Sequence, residues 1–106
     1  MNGPAAASLS ALADPTRQRI VEMLAAGALS SGEIASRFAL SAPAVSQHLK
    51  TLKTARLVRV HAEKQRRIYE LNAEGMDEVA QWVARIRAFW NPKLDALEAA
   101  LKREAP

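Results

Sequence analysis

Two helix-start signals eleven residues apart, at Ser30 and Ser41, constrain this chain more than any other feature. Ser30 followed by Glu33 makes a capping box: the serine oxygen accepts from an orphan backbone N–H, and the glutamate accepts from the cap residue's own N–H. A helix begins there, with Ile34, Ala35 and Phe38 as its apolar positions. After Ala39-Leu40 comes Ser41 with Pro43 in the first turn, where a missing N–H costs nothing. The second helix buries Val45, Leu49 and Leu52, spaced four and three apart, and turns Ser41, Ala42, Ala44, Ser46, Gln47, Lys50 and Thr51 outward. Residues 30–53 therefore read as a helix-turn-helix. Helix pairs of this kind also occur in all-helical domains with other tasks, so the rest of the chain must decide between them.

The outward face of the second helix is slim. Small side chains let a helix backbone approach the major groove, where glutamine can bond adenine through two atoms, serine suits either kind of base edge, and alanine methyls meet thymine methyls. Charge points the same way. The chain carries a net +4, and residues 41–71 hold seven basic side chains (Lys50, Lys53, Arg56, Arg59, Lys64, Arg66, Arg67) against Glu63 and Glu70. The remainder is slightly acidic, so positive charge is concentrated on the reading helix and the segment after it, as expected of a phosphate-binding surface. His48, three residues after Val45 on the inward-leaning side, reads as a partly buried side chain that packs or bonds a phosphate.

Ala5–Leu12 reads as a short helix, and Asp14-Pro15 starts another whose stripe is Ile20, Val21, Met23 and Leu24 before Gly27 ends it. Leu57–His61 and Arg67–Leu71 are β-rich runs around a charged connection, Ala62 to Arg66. A helix-turn-helix followed by such a hairpin is a winged helix, with Lys64, Gln65, Arg66 and Arg67 as the wing contacts; arginine there gains from the negative potential of a narrow minor groove. From Ala73 onward Met76, Val79, Val83, Ile86, Trp90, Leu94, Leu97 and Leu101 form a seam of three- and four-residue steps. It slips beside Pro92, where the ring should kink or divide the helix. Trp82 and Phe89 widen this apolar face beyond what a small domain's own core uses, so a second subunit is expected on it.

The expected architecture is mainly α with a small β-hairpin, a single winged helix-turn-helix domain over 1–106. Its parts are N-terminal helices over 1–27, the helix-turn-helix over 30–53, the wing over 57–71, and a C-terminal dimerisation helix over 73–104.

In its motifs the chain resembles the ArsR/SmtB family of bacterial winged-helix repressors. Four segments carry the resemblance: Leu12-Ala13-Asp14-Pro15-Thr16-Arg17-Gln18-Arg19-Ile20; Ala44-Val45-Ser46-Gln47-His48-Leu49-Lys50-Thr51-Leu52; Leu57-Val58 with Arg66-Arg67-Ile68-Tyr69; and Phe89-Trp90 near the end. The resemblance implies a homodimer joined by the first and last helices, with Leu9, Leu12, Val79, Trp82, Val83, Ile86, Phe89, Trp90, Leu94 and Leu97 at its interface. It also implies two recognition helices one DNA turn apart and repression by covering a promoter. The Trp-rich ending is similar to a cysteine-free subgroup without the usual metal ligands.

The chain departs from the family pattern at three points. It has no cysteine, and its only two histidines, His48 and His61, lie on the reading helix and the first strand of the hairpin, so neither a metal nor another cofactor is expected. Lys64 stands at the wing tip where relatives often place glycine. Arg56 stands where a glycine usually precedes the Leu-Val of the strand; positive φ there would cost about 1 kcal/mol.

Composition narrows the classes further. No apolar run approaches a bilayer span, and Met1–Ala13 lacks the basic start and apolar core of a signal peptide, so a cytoplasmic protein, bound to the nucleoid through DNA, is expected. No thiol nucleophile, Ser/His/acid arrangement or Gly-rich phosphate loop marks an enzyme. Trp82, Phe89 and Trp90 offer walls for a small-molecule effector between the last helices and the core, though packing is the use their spacing favours. The expected partner is double-stranded DNA. The alternative is a winged-helix protein-interaction module with only non-specific DNA binding, whose affinity would vanish near physiological salt.

Overall fold

The computed structural model describes residues 4–104. In chain order the elements are α1 (Pro4–Ala11), α2 (Pro15–Ala25), β1 (Leu29–Ser30), α3 (Ser31–Ala35), α4 (Ala42–Thr54), β2 (Val58–Glu63), β3 (Arg66–Leu71) and α5 (Ala73–Glu104). The chain is mainly helical with a small antiparallel sheet, a winged helix-turn-helix.

The helix starts follow their caps. Asp14 accepts from the Arg17 N–H at 3.0 Å with Pro15 in the first turn of α2. The Ser30–Glu33 box is closed from both sides, at 3.1 Å and 3.0 Å. Ser41 Oγ accepts from the Ala44 N–H at the start of α4. Ile20, Leu24, Ile34, Val45, Leu49, Leu52, Leu57, Val58 and Tyr69 form one core, with Phe38, Met76 and Val79 packed partly against it.

Three features of the helix-turn-helix and the wing differ from the sequence expectation. The helix after Ser30 is a single turn and a half; Phe38 lies in the turn beyond it, its ring under the Arg19 guanidinium at 4.7 Å. The sheet has three strands in the order β1-β3-β2, because Leu29 and Ser30 pair with Tyr69 and Ile68 of the hairpin. The hairpin ladder runs on to Ala62↔Arg67 and Glu63↔Arg66, which shrinks the expected five-residue connection to Lys64-Gln65. Lys64 there adopts φ +59.

The C-terminal end of α4 explains Arg56. Leu57 N–H donates to Leu52 O and Arg56 N–H to Lys53 O, the paired bonds of a Schellman motif, with Arg56 at φ +64 in the position that favours glycine. Leu52 and Leu57, the residues whose side chains accompany such a cap, are both fully buried. The conformational cost is offset by docking onto α5: the Arg56 guanidinium pairs with Glu78 at 2.8 Å and Glu74 at 3.4 Å, and Asn72 Nδ2 donates to Arg56 O. Gly75, buried in the first turn of α5, lies directly over that carbonyl.

α5 is a single helix of 32 residues, continuous through Pro92. Of the two outcomes expected at Pro92, a kink or a division, division does not occur. Every residue from Ala80 to Ala99 is exposed, so the Ala88 carbonyl that Pro92 leaves without its helical donor can bond water. α1 packs against α5 and α4, and the buried Ser8 hydroxyl donates to Ala55 O at 3.2 Å.

Candidate nucleic-acid interface

α4 presents the expected face. Val45, Leu49 and Leu52 are buried; Ser41, Ala42, Ser46, Gln47, Lys50 and Thr51 are exposed, and Ala44 and His48 are half-buried. Three of these side chains are partly occupied within the chain: Ser41 caps α4, Thr51 Oγ1 donates to Gln47 O at 3.1 Å, and His48 Nδ1 meets Arg17. Gln47, Ser46 and Lys50 keep their polar ends outward.

The wing stands beside this helix. Ser46, Lys50, Lys53, Arg67 and Tyr69 line one groove between α4 and β3, so three cations converge on it. Lys53, part of the basic footprint, joins the expected contact residues here. Its spacing from Ser46 and Lys50 (i, i+4, i+7) places it on their face. Arg67 lies over the Tyr69 ring at 6.0 Å, and Lys64 and Gln65 are exposed at the tip. Arg66 reaches back to Glu33 Oε1 at 2.7 Å, an oxygen that also accepts from the Ser30 N–H. That pair is open to solvent, and such pairs are worth at most about 1 kcal/mol, so a phosphate can displace the carboxylate.

Glu33 titrates below its usual value of 4.5, chiefly because the Ser30 backbone N–H donates to the ionised form, then through the Ser30 side chain and the Arg66 charge. Asp14 is lowered chiefly by the Arg17 backbone N–H. Both carboxyls therefore bind protons less readily in the folded chain than in the unfolded one. Their contribution to stability is complete above the unfolded values and is lost as pH falls through the lowered folded values. The urea midpoint is expected to drop as pH falls below about 4.5, and Glu33→Gln, which keeps a capping-box side chain, is expected to flatten that decline. An identical pH profile for the variant would contradict this origin.

His48 faces α2, where its Nδ1 meets the Arg17 guanidinium at 3.2 Å. Leu12 and Val79, expected at a subunit interface, pack partly on the chain's own core, and Leu9 is half-buried. Trp82, Val83, Ile86, Phe89, Trp90, Leu94 and Leu97 are exposed. The aromatic residues do not wall a pocket against the core: Phe89 and Trp90 sit edge to face at 6.3 Å on the solvent side of α5, with Lys93 Nζ over both rings. Among the described residues no three His, Cys, Asp or Glu side chains gather as a metal site, and no helix is long and apolar enough to cross a membrane.

A reading helix with a slim polar face, a cationic groove and a basic wing on one side of the molecule define a DNA-binding protein of the winged-helix class. Comparison with known proteins places it more closely. A family model described as a helix-turn-helix domain matches residues 12–61. The HTH-type transcriptional regulator Rv2034 of Mycobacterium tuberculosis is 56% identical over 66 residues, 62% of this chain and 62% of that protein. The transcriptional repressor SdpR of Bacillus subtilis is 36% identical over 73 residues, 69% of this chain and 81% of that protein. The crystal structure of the ArsR family transcriptional regulator RHA00566 matches with a TM-score of 0.78 at 26% identity, covering 84% of this chain and 98% of that one. The chain belongs to the ArsR family of helix-turn-helix transcriptional regulators, a non-enzymatic class.

Proposed function

We propose that this protein binds a pseudo-palindromic operator as a homodimer and represses by covering the promoter, working in the cytoplasm on nucleoid DNA. The observation that carries the reading is the convergence of Ser46, Lys50, Lys53 and Arg67 on one groove beside the exposed Gln47. The dimer reading rests on α5. Of nine large apolar side chains exposed among the described residues, eight lie on that one helix, where scattered exposure would need no explanation. Repression is favoured by the SdpR likeness. No effector is required by the reading.

Selection of random duplexes at about 150 mM salt tests it, since purely electrostatic binding fades there. Enrichment of an inverted repeat with half-site centres about 10 to 10.5 base pairs apart supports a dimeric regulator; recovery of no repeat removes the proposal. A promoter fusion carrying the repeat then distinguishes repression from activation.

The contact roles predict different losses. Gln47→Ala is expected to relax preference at one position per half-site and cost about 1 to 3 kcal/mol per site. Arg66→Ala is expected to weaken all sequences alike and reduce the salt slope by about one. Equal, sequence-blind losses from both would show that Gln47 reads no base.

A further inference from the structure

Arg17 lies in the first turn of α2, and its guanidinium spans three elements. Nε donates to Ala11 O, the free carbonyl at the end of α1, at 2.6 Å, and Nη1 lies 3.2 Å from His48 Nδ1 on α4. A guanidinium is always protonated and can only donate. The contact is therefore a hydrogen bond only when His48 Nδ1 carries a lone pair. A doubly protonated ring would present N–H to N–H, and the Nδ1–H tautomer would do the same. One state of the ring fits: neutral, with its proton on Nε2.

We propose that Arg17 is a positioning residue, holding His48 as the neutral Nε2–H tautomer so that this N–H donates to a DNA backbone phosphate. The role deepens the DNA-binding reading and rests on it. His48 lies on the half-buried flank of α4 toward α2, away from the outward Gln47, and the flanks of a reading helix meet the backbone where its outer face meets base edges. A neutral donor adds a hydrogen bond without releasing a counterion. Arg17 acts through the ring: Nε and Nη1 are engaged inside the protein, and a phosphate contact by the third nitrogen, Nη2, is the competing role that the salt slope separates.

Two measurements test this. Long-range proton–nitrogen correlation spectra of the unaltered protein, with His61→Gln used for assignment, are expected to show His48 protonated at Nε2 alone; protonation at Nδ1 would overturn the proposal whatever the DNA does. Binding to a duplex selected by the unaltered protein is then compared for Arg17→Met, His48→Ala and the double variant. Each single change is expected to cost about tenfold with the salt slope unchanged, and the double variant is expected to bind no worse than His48→Ala. Additive losses, or a slope reduced by about one in Arg17→Met, would mean that Arg17 itself meets a phosphate, and the proposal fails while DNA binding stands. Failure of the unaltered protein to bind any duplex would remove the DNA-binding reading and this role together.

Discussion

Gly75→Ala is expected to destabilise the protein by at least about 3 kcal/mol, lowering the melting temperature by on the order of 15 °C. A Cβ at Gly75 would lie 1.7 Å from Arg56 O and 2.6 Å from its carbonyl carbon. Both are backbone atoms, so no rotamer change can clear the space. Nor can the Arg56 carbonyl swing aside cheaply: Arg56 is held at φ +64 by the Schellman bonds, its oxygen accepts from Asn72, and its side chain pairs with α5. The start of α5 would have to lift away from the end of α4, opening the contact that seats α5 on the core. Gly32→Ala is the internal control. There a Cβ would meet only Ser30 Oγ at 3.9 Å, inside a helix, so the same exchange is expected to be neutral or to stabilise by about 0.4 to 1 kcal/mol. Thermal melts followed by circular dichroism read both. A Gly75→Ala variant melting within a few degrees of its parent would sink the account of this junction.

The second large effect concerns assembly. Leu94→Glu combined with Leu97→Glu is expected to yield a monomer by sedimentation while helical circular dichroism persists, because both side chains are exposed and touch no part of the chain's own core. Two-fold symmetry doubles the insult: four carboxylates would have to enter the proposed seam without partners. Operator affinity is expected to fall by about 10² to 10⁴, the gain that linking two half-site contacts supplies. A variant that stays dimeric and binds the operator undiminished would place the subunit contact elsewhere.

What could be read in advance depended on range along the chain. The caps at Asp14, Ser30 and Ser41 and the stripe Val45-Leu49-Leu52 are fixed by neighbours within a turn, and all appear as expected. At Arg56 and Lys64 the resemblance offered only a position where relatives place glycine, which left positive φ conditional at Arg56 and the turn geometry open at Lys64; both residues adopt it. β1 was not visible, since two residues have no periodicity and Leu29-Ser30 becomes a strand only because β3 offers it an edge. The continuity of α5 through Pro92 was also hidden, because it depends on how exposed the helix is there. Within the candidate site, the outward face of α4 followed from spacing alone. The Arg17–His48 and Glu33–Arg66 contacts join residues about thirty positions apart, and local pattern carries no record of them.

Ser30 is at once the last residue of β1, bonded in register with Ile68, and the cap from which α3 starts. The sheet that carries the wing and the first helix of the helix-turn-helix thus meet at one residue, with no loop between β1 and α3. Their relative orientation is settled when the chain folds, so in the proposed complex neither needs to be immobilised against the other. The entropy of ordering two separate readers is absent from the binding step, and a stiff surface of this kind discriminates by shape: a groove that does not match the fixed spacing must itself deform, at a cost that varies with its sequence.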